Sequence, residues 1–363
     1  MSSLFVEMRD LRASECLKRR LRFGALLSSR GIDAAVLTKS ASVAYFFGVF
    51  GWRSETTAGI VTADGQGVLA VGASVNCEKF ADELVKYDDS RGGTPSDDLD
   101  ALAVDALIPK VKAFKKLGTD AIFHNNKEFT QINELIAGLR RSKQPDEVKL
   151  IDAAIKATEA GYLAIAPMIQ PGMLETEVYA AFYGAASVAA GTSIRELGND
   201  FRGGSPGGRP RSVPLIAGDL IPVDAGVCLA HYNADLCRTF AVSGKRSPEQ
   251  QCVFKFVEEA LDRAERLVEV GVSCSKVYSE VSSYLNSRGE WRFDHHLGHG
   301  VGLAPVEAPR ISPHWNDTFQ EGDTFTLEPG LYGGNLRAGI RLEQNYVIEN
   351  GRPRRLSTLP LEL

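Results

Sequence analysis

The chain has 363 residues, 44% of them hydrophobic, which is enough for two domains with their own cores. A formal net charge of −5 offers no basic surface for nucleic acid or an anionic membrane, and no apolar run approaches the roughly 18–20 residues of a membrane helix. The N-terminal stretch is charged, without an apolar segment and cleavage site. The six cysteines (Cys16, Cys77, Cys228, Cys237, Cys252, Cys274) contain no C-x-x-C pair, so reduced thiols in a cytoplasmic setting are expected.

In chain order, helical periodicity over residues 10–30 closes at Gly31, and 32–37 reads as a buried strand. Strands at 57–61 and 67–71 flank Asp64-Gly65, a hairpin signal. Residues 88–95 form a polar loop, 99–116 a helix, 121–124 a strand and 129–139 a helix. This alternation makes residues 1–142 an α/β domain.

The second domain, 143–363, opens at Gln144-Pro145-Asp146-Glu147, a proline and acids where a helix begins. That helix runs to 169 and stops at Pro171-Gly172; a second covers 175–190, followed by strands to 242. Ser247-Pro248-Glu249-Gln250 is a capping box that starts a helix to 270. Another covers 275–287, and strands follow to the end. Gly172 and Gly271, 99 residues apart, each precede a Val-Tyr pair (Val178-Tyr179 and Val277-Tyr278) at the same interval. Helix, glycine turn, helix and strands therefore occur twice, as two halves of one domain about a pseudo-two-fold axis.

Each half carries acids inside apolar, strand-like runs. Asp224 lies in Leu220-Ile221-Pro222-Val223-Asp224-Ala225-Gly226, and Glu328 in Phe325-Thr326-Leu327-Glu328-Pro329-Gly330. Glu343 follows Ile340-Arg341-Leu342. Apolar neighbours carry such acids into the interior, where a carboxylate needs a partner or a cation. Asp224 and Asp235 suit one hairpin, Glu328 and Glu343 another, and His299 in Gly298-His299-Gly300 adds an imidazole with close backbone approach on both sides. Oxygen ligands with one imidazole suit two divalent ions of manganese, iron, cobalt or zinc, and such a pair promotes hydrolysis.

These motifs resemble the creatinase, prolidase and aminopeptidase P family. The matching segments are Val223-Asp224-Ala225-Gly226, Asn233-Ala234-Asp235-Leu236-Cys237-Arg238-Thr239, His295-His296-Leu297-Gly298-His299-Gly300-Val301-Gly302, Leu327-Glu328-Pro329-Gly330-Leu331-Tyr332 and Arg341-Leu342-Glu343. Val43-Ala44-Tyr45-Phe46-Phe47-Gly48 and Gln144-Pro145-Asp146-Glu147-Val148 extend the resemblance over nearly the whole chain. It implies a creatinase-like N-terminal domain, a C-terminal α+β pita-bread domain and a homodimer. It also implies that Asp235, His299, Glu328 and Glu343 hold one metal and Asp224, Asp235 and Glu343 the other, with Glu328 moving the proton. His295 becomes a catalytic candidate; Trp52, Arg53, Arg310 and Tyr332 become substrate-binding candidates.

Two family histidines are missing. One position falls near Gly207, in a glycine- and arginine-rich segment; the other is Val306, in Val306-Glu307-Ala308-Pro309. Each such donor is worth a few kcal/mol of barrier. Their loss points to a metal-dependent hydrolase cleaving a C–N bond of a small, specialised, carboxylate-bearing non-peptide substrate, with Arg202, Arg209 or Arg211 as a carboxylate clamp. The alternatives are an Xaa-Pro dipeptidase or aminopeptidase, a lyase on the same centre, or an inactive binding module. His231 is expected in an exposed turn, His296 and His314 as non-ligands, Gly203 to Gly208 in a flexible substrate loop, and Cys237 as a small buried residue.

Overall fold

The computed structural model describes residues 4–49, 57–73, 80–91, 94–121 and 129–363, and the chain divides into two compact units, Met1–Arg140 and Arg141–Leu363. The first holds a six-stranded sheet in the order Glu83–Tyr87, Gly67–Gly72, Ala58–Thr62, Ala34–Leu37, Leu117–Thr119, Phe129–Gln131. The Asp64-Gly65 turn closes the expected antiparallel hairpin. Ala34–Leu37 is buried along its length and runs parallel to Leu117–Thr119 on one side and antiparallel to Ala58–Thr62 on the other. The helix Leu99–Val111 contributes Ala103 and Leu107 to a core shared with Val36, Ile60 and Ala70.

Two expectations shift in this unit. The strand expected at 121–124 forms at Leu117–Thr119, Ala121 lies in a bend, and 122–124 fall outside the described residues. The helix expected from 129 starts at Asn133, because Phe129–Gln131 pairs in parallel with Leu117–Thr119. A short apolar run is compatible with either state, and pairing decides. The polar loop at 88–95 also contains a short antiparallel pair, Ser90–Arg91 with Thr94–Pro95.

The second unit repeats one plan, the pita-bread arrangement of two related halves. Pro145–Ile165 starts on a capping box in which the Gln144 N–H donates to Glu147. After Gly172 comes Glu175–Ala190, closed by left-handed Gly191. In the other half Ser247 and Gln250 cap each other at the head of Pro248–Leu267, and Cys274–Leu285 follows Gly271. Each helix pair precedes a sheet. In the first, Leu220–Leu229 is flanked by Arg195–Asp200 and Leu236–Ala241. The second has the order Glu307–Ile311, Gly298–Gly300, Thr324–Leu327, Gln344–Glu349, Arg352–Arg355.

A rivet joins the two sheets. Arg238 is almost wholly buried and donates to the carbonyls of Cys237, Glu343, Leu359 and Pro360 and to Gln344 Oε1. Among the described residues, no helix is long and apolar enough to cross a membrane.

Candidate metal centre

Strand register explains why the acids meet. Asp224 faces Cys237 and Cys228 faces Asn233, a register that puts Asp235 opposite Gly226. Asp224 and Asp235 are then diagonal neighbours on one face of the sheet. In the other half Leu327 faces Gln344 and Gly330 faces Arg341, so Glu328 and Glu343 stand opposite each other where the chain leaves the main sheet for a two-stranded one. The halves are stitched at this level by Glu343 N–H donating to the Cys237 carbonyl at 3.1 Å.

His299 comes from the short strand between Glu307–Ile311 and Thr324–Leu327. A Cβ at Gly298 would collide with the Thr326 carbonyl and one at Gly300 with the Ala308 carbonyl, so glycine on both sides is what lets the strand seat there. His299 Nδ1 donates to the Gly300 carbonyl at 3.1 Å. Burial pushes its pKa down, which favours the neutral ring. With Nδ1 carrying the proton, Nε2 offers its lone pair, 3.7 Å from Asp235 Oδ2 and 3.6 Å from Glu328 Oε1. Ligand atoms of Asp235, His299 and Glu343 all lie within 4.8 Å of one another.

This donor set fits a cation. Asp235 Oδ1 and both Glu343 oxygens are buried without a hydrogen-bond partner, an expensive state for ionised oxygens. Burial pushes the pKa of Asp235 and Glu343 well above the carboxylate range, and neighbouring carboxylates push the same way. Asp224 rises to about 6 through burial, against the pull of Arg341. Glu328 departs from the others: burial pushes it up, but the hydrogen bond and charge of His296 outweigh this and bring it to about 2.

Asp224 is approached from the side by a chain of donors. His295 Nδ1 donates to the His296 carbonyl at 2.7 Å, leaving Nε2 as acceptor for the Tyr332 hydroxyl at 2.9 Å. Tyr332 in turn accepts from Arg341 Nη1 at 3.1 Å. Arg341 Nη2 bridges Asp224 at 2.8 Å and Asp200 at 2.7 Å. Asp224 thus has one oxygen on Arg341 and neighbours Asp235 through the other half of its environment.

The profile of Metallopeptidase family M24 matches residues 149–350, and the Creatinase/Prolidase N-terminal domain matches residues 19–153. The chain belongs to metallopeptidase family M24. It is a metal-dependent hydrolase by that membership, which speaks against an inactive binding module. The Xaa-Pro dipeptidases of Pyrococcus horikoshii and Pyrococcus furiosus are 26% and 28% identical; each alignment covers 96% of this chain and 99% of the relative. Among solved structures, an X-Pro aminopeptidase from Thermotoga maritima superposes with a TM-score of 0.79 at 24% identity, covering 95% of this chain and 98% of that one. An Xaa-Pro dipeptidase from Bacillus anthracis gives 0.79 at 22%, covering 97% and 99%.

Several expectations for this M24 chain change. The Gly203 to Gly208 segment is pinned: Gly204 N–H donates to the Leu220 carbonyl at 2.9 Å and Gly208 N–H to Asp200 at 2.6 Å. A Cβ at Gly207 would collide with the Asp200 carboxylate, so the site of the missing histidine is given over to the acid that holds Arg341. Two of the arginines expected to clamp a carboxylate have partners within the chain. Arg211 is paired with buried Glu175, and Arg202 donates to the Arg209 carbonyl. Arg310 stands opposite His299 in register, but its guanidinium lies 3.5 Å from Asp317 and 4.2 Å over the Trp315 ring.

Tyr332 is a link in the donor chain, and Trp52 and Arg53 lie outside the described residues. His231 is buried beside Arg195, not exposed. Cys237 is fully buried, as expected, with burial pushing its thiol up. His314 is exposed. Sequence reasoning missed Asp200, the partner of Arg341, and His296, whose Nδ1 is 3.2 Å from Glu328 Oε1. The one available signal for His296 was its place three residues before His299.

Proposed function

We propose that this M24 hydrolase is an Xaa-Pro dipeptidase that works with two divalent ions of manganese, iron, cobalt or zinc. The observation that carries the reading is the meeting of Asp235, His299 and Glu343 within 4.8 Å, with orphaned carboxylate oxygens at its centre. The near-full-length dipeptidase relatives support the substrate class. They lend no support to a specialised non-peptide substrate, nor to a lyase.

Asp235, His299, Glu328 and Glu343 are the residues that would hold one ion, and Asp224, Asp235 and Glu343 the other. Bound divalent metal supplies a Lewis acid for the scissile carbonyl and lowers the pKa of water to near neutrality. The chain's own residues do the rest. Neutral His299 presents Nε2, fixed by its Nδ1 bond to Gly300. Arg341 and Tyr332 hold Asp224 in place. Glu328, beside His299, moves the proton from nucleophile to leaving nitrogen.

The test is to strip the protein with chelator, reload it separately with manganese, iron, cobalt and zinc, and assay Gly-Pro, Ala-Pro, Gly-Pro-Gly and small N-substituted amino acids. Cleavage of the dipeptides with the tripeptide left intact is expected. Cleavage confined to N-substituted amino acids would overturn the reading. The family resemblance supports a homodimer as the working form, and the free cysteines support a cytoplasmic setting; sedimentation at micromolar concentration tests the assembly.

A further inference from the structure

Residues 294–297 run irregularly into the strand that carries His299, and the two consecutive histidines turn to different sides of the centre. The His295 ring goes to Tyr332 and so belongs to the donor chain ending on Asp224. The His296 ring goes to Glu328. Its Nδ1 lies 3.2 Å from Glu328 Oε1, and its side chain is 46% exposed against 7% for the glutamate. Its ring centroid is 5.4 Å from that of His299. The same oxygen also accepts from the buried Thr326 Oγ1 at a longer 3.4 Å, and His299 Nε2 lies 3.6 Å away.

A glutamate side chain has three rotatable bonds and swings freely unless its carboxylate is held at a second point. The histidines expected near Gly207 and at Val306 are absent from the chain, so neither supplies that hold. Asp200 fills the space beside Gly207 but is spent on Arg341 and the Gly208 N–H.

We propose that His296 is a positioning residue for Glu328, donating from Nδ1 to Oε1 and fixing the carboxylate beside His299 from the open side of the centre. The proposal rests on reading Glu328 as metal-facing, but not on the identity of the substrate. A partner of this kind shapes the affinity of the site as well as its turnover, typically by ~10- to 100-fold.

The geometry makes a specific demand on replacements. The Asn Nδ2 is as many bonds from Cα as the His Nδ1, so His296→Asn can keep the donor in place; His296→Gln puts its amide one bond further out, and His296→Ala removes it. The experiment is calorimetric titration of Mn²⁺ into chelator-stripped full-length protein for wild type and these variants, with thermal melting of the stripped forms as a folding check. Ala and Gln are expected to weaken Mn²⁺ binding ~10- to 100-fold, with Asn recovering most of the loss. In a Glu328→Ala background, His296→Ala is expected to have no further effect, because the acceptor is already gone. Unchanged affinity in His296→Ala, or an Asn variant as weak as Ala, would overturn the proposal. A wild-type protein that binds Mn²⁺, shows this affinity series and leaves Gly-Pro intact would support it while overturning the dipeptidase reading.

Discussion

Glu343 is 1% exposed, and neither carboxylate oxygen has a hydrogen-bond partner. Asp235, its neighbour, leaves Oδ1 equally orphaned. A carboxylate in that state is tolerable when a cation faces it and costly when none does. Neutral isosteres therefore act in opposite directions on the two forms of the protein. Glu343→Gln and Asp235→Asn are expected to weaken Mn²⁺ binding by more than the ~10- to 100-fold typical of an outer partner, and to abolish measurable Gly-Pro cleavage. The same substitutions should raise the melting temperature of the chelator-stripped protein, since each removes the cost of either burying an unpartnered carboxylate or protonating it. A Gln variant that melts lower than stripped wild type would show that these oxygens are not a charge liability, and the metal assignment would lose its main physical support.

Elements hold the residues in place, and here Arg238 matters most. One guanidinium spans the strand Leu236–Ala241, Gln344 and the segment at 359–360. Arg238→Met leaves several buried carbonyls without a donor, each costing about 1–3 kcal/mol. A loss of at least ~3 kcal/mol is expected in urea unfolding, with weaker Mn²⁺ binding because Glu343 donates through the same junction. In the N-terminal unit, Asp33 accepts the N–H groups of Lys115 and Lys116, both at 2.9 Å, at the turn before Leu117–Thr119. Those backbone bonds hold its pKa below the usual 3.8. A depressed carboxylate stabilises above its unfolded pKa and loses that contribution as pH falls through its folded pKa. Asp33→Asn should thus be less stable than wild type at pH 7, and the gap should close below about pH 4; a gap that persists to pH 2 would exclude this origin. The acids and His299 were legible because their apolar context and glycine neighbours are local. So were the helices with caps at Gln144 and Ser247, and the 99-residue echo between Gly172 and Gly271. Asp200 and Arg341 were not, because their pairing crosses 141 positions. Neither was His296, whose direction depends on an irregular backbone, nor the edge strand Phe129–Gln131, which exists only because Leu117–Thr119 is there to pair with it.

At the scale of the whole molecule, the C-terminal unit is two similar halves whose acids converge where their sheets meet, so the centre doubles as a clamp between them. Asp224 and Asp235 come from one half, His299, Glu328 and Glu343 from the other, and backbone bonds run between them from Glu343 N–H to the Cys237 carbonyl and from Asn233 N–H to the Gly302 carbonyl. A ligand that binds only the folded state stabilises it by mass action, by ~2.7 kcal/mol at a free concentration of 100 times Kd. For a unit of this size that corresponds to a rise of ~5–10 °C in melting temperature. Chelation should remove that increment, re-addition of Mn²⁺ should restore it, and the melting temperature should climb with the logarithm of metal concentration above Kd. Because the clamp acts between halves, hydrogen exchange should report the change at both hairpins together, at Leu220–Leu229 and Leu236–Ala241 as well as Gly330–Gly333 and Ala338–Arg341. Protection gained in one half alone would mean that the metal is held without closing the junction, and that the two halves do not share the site.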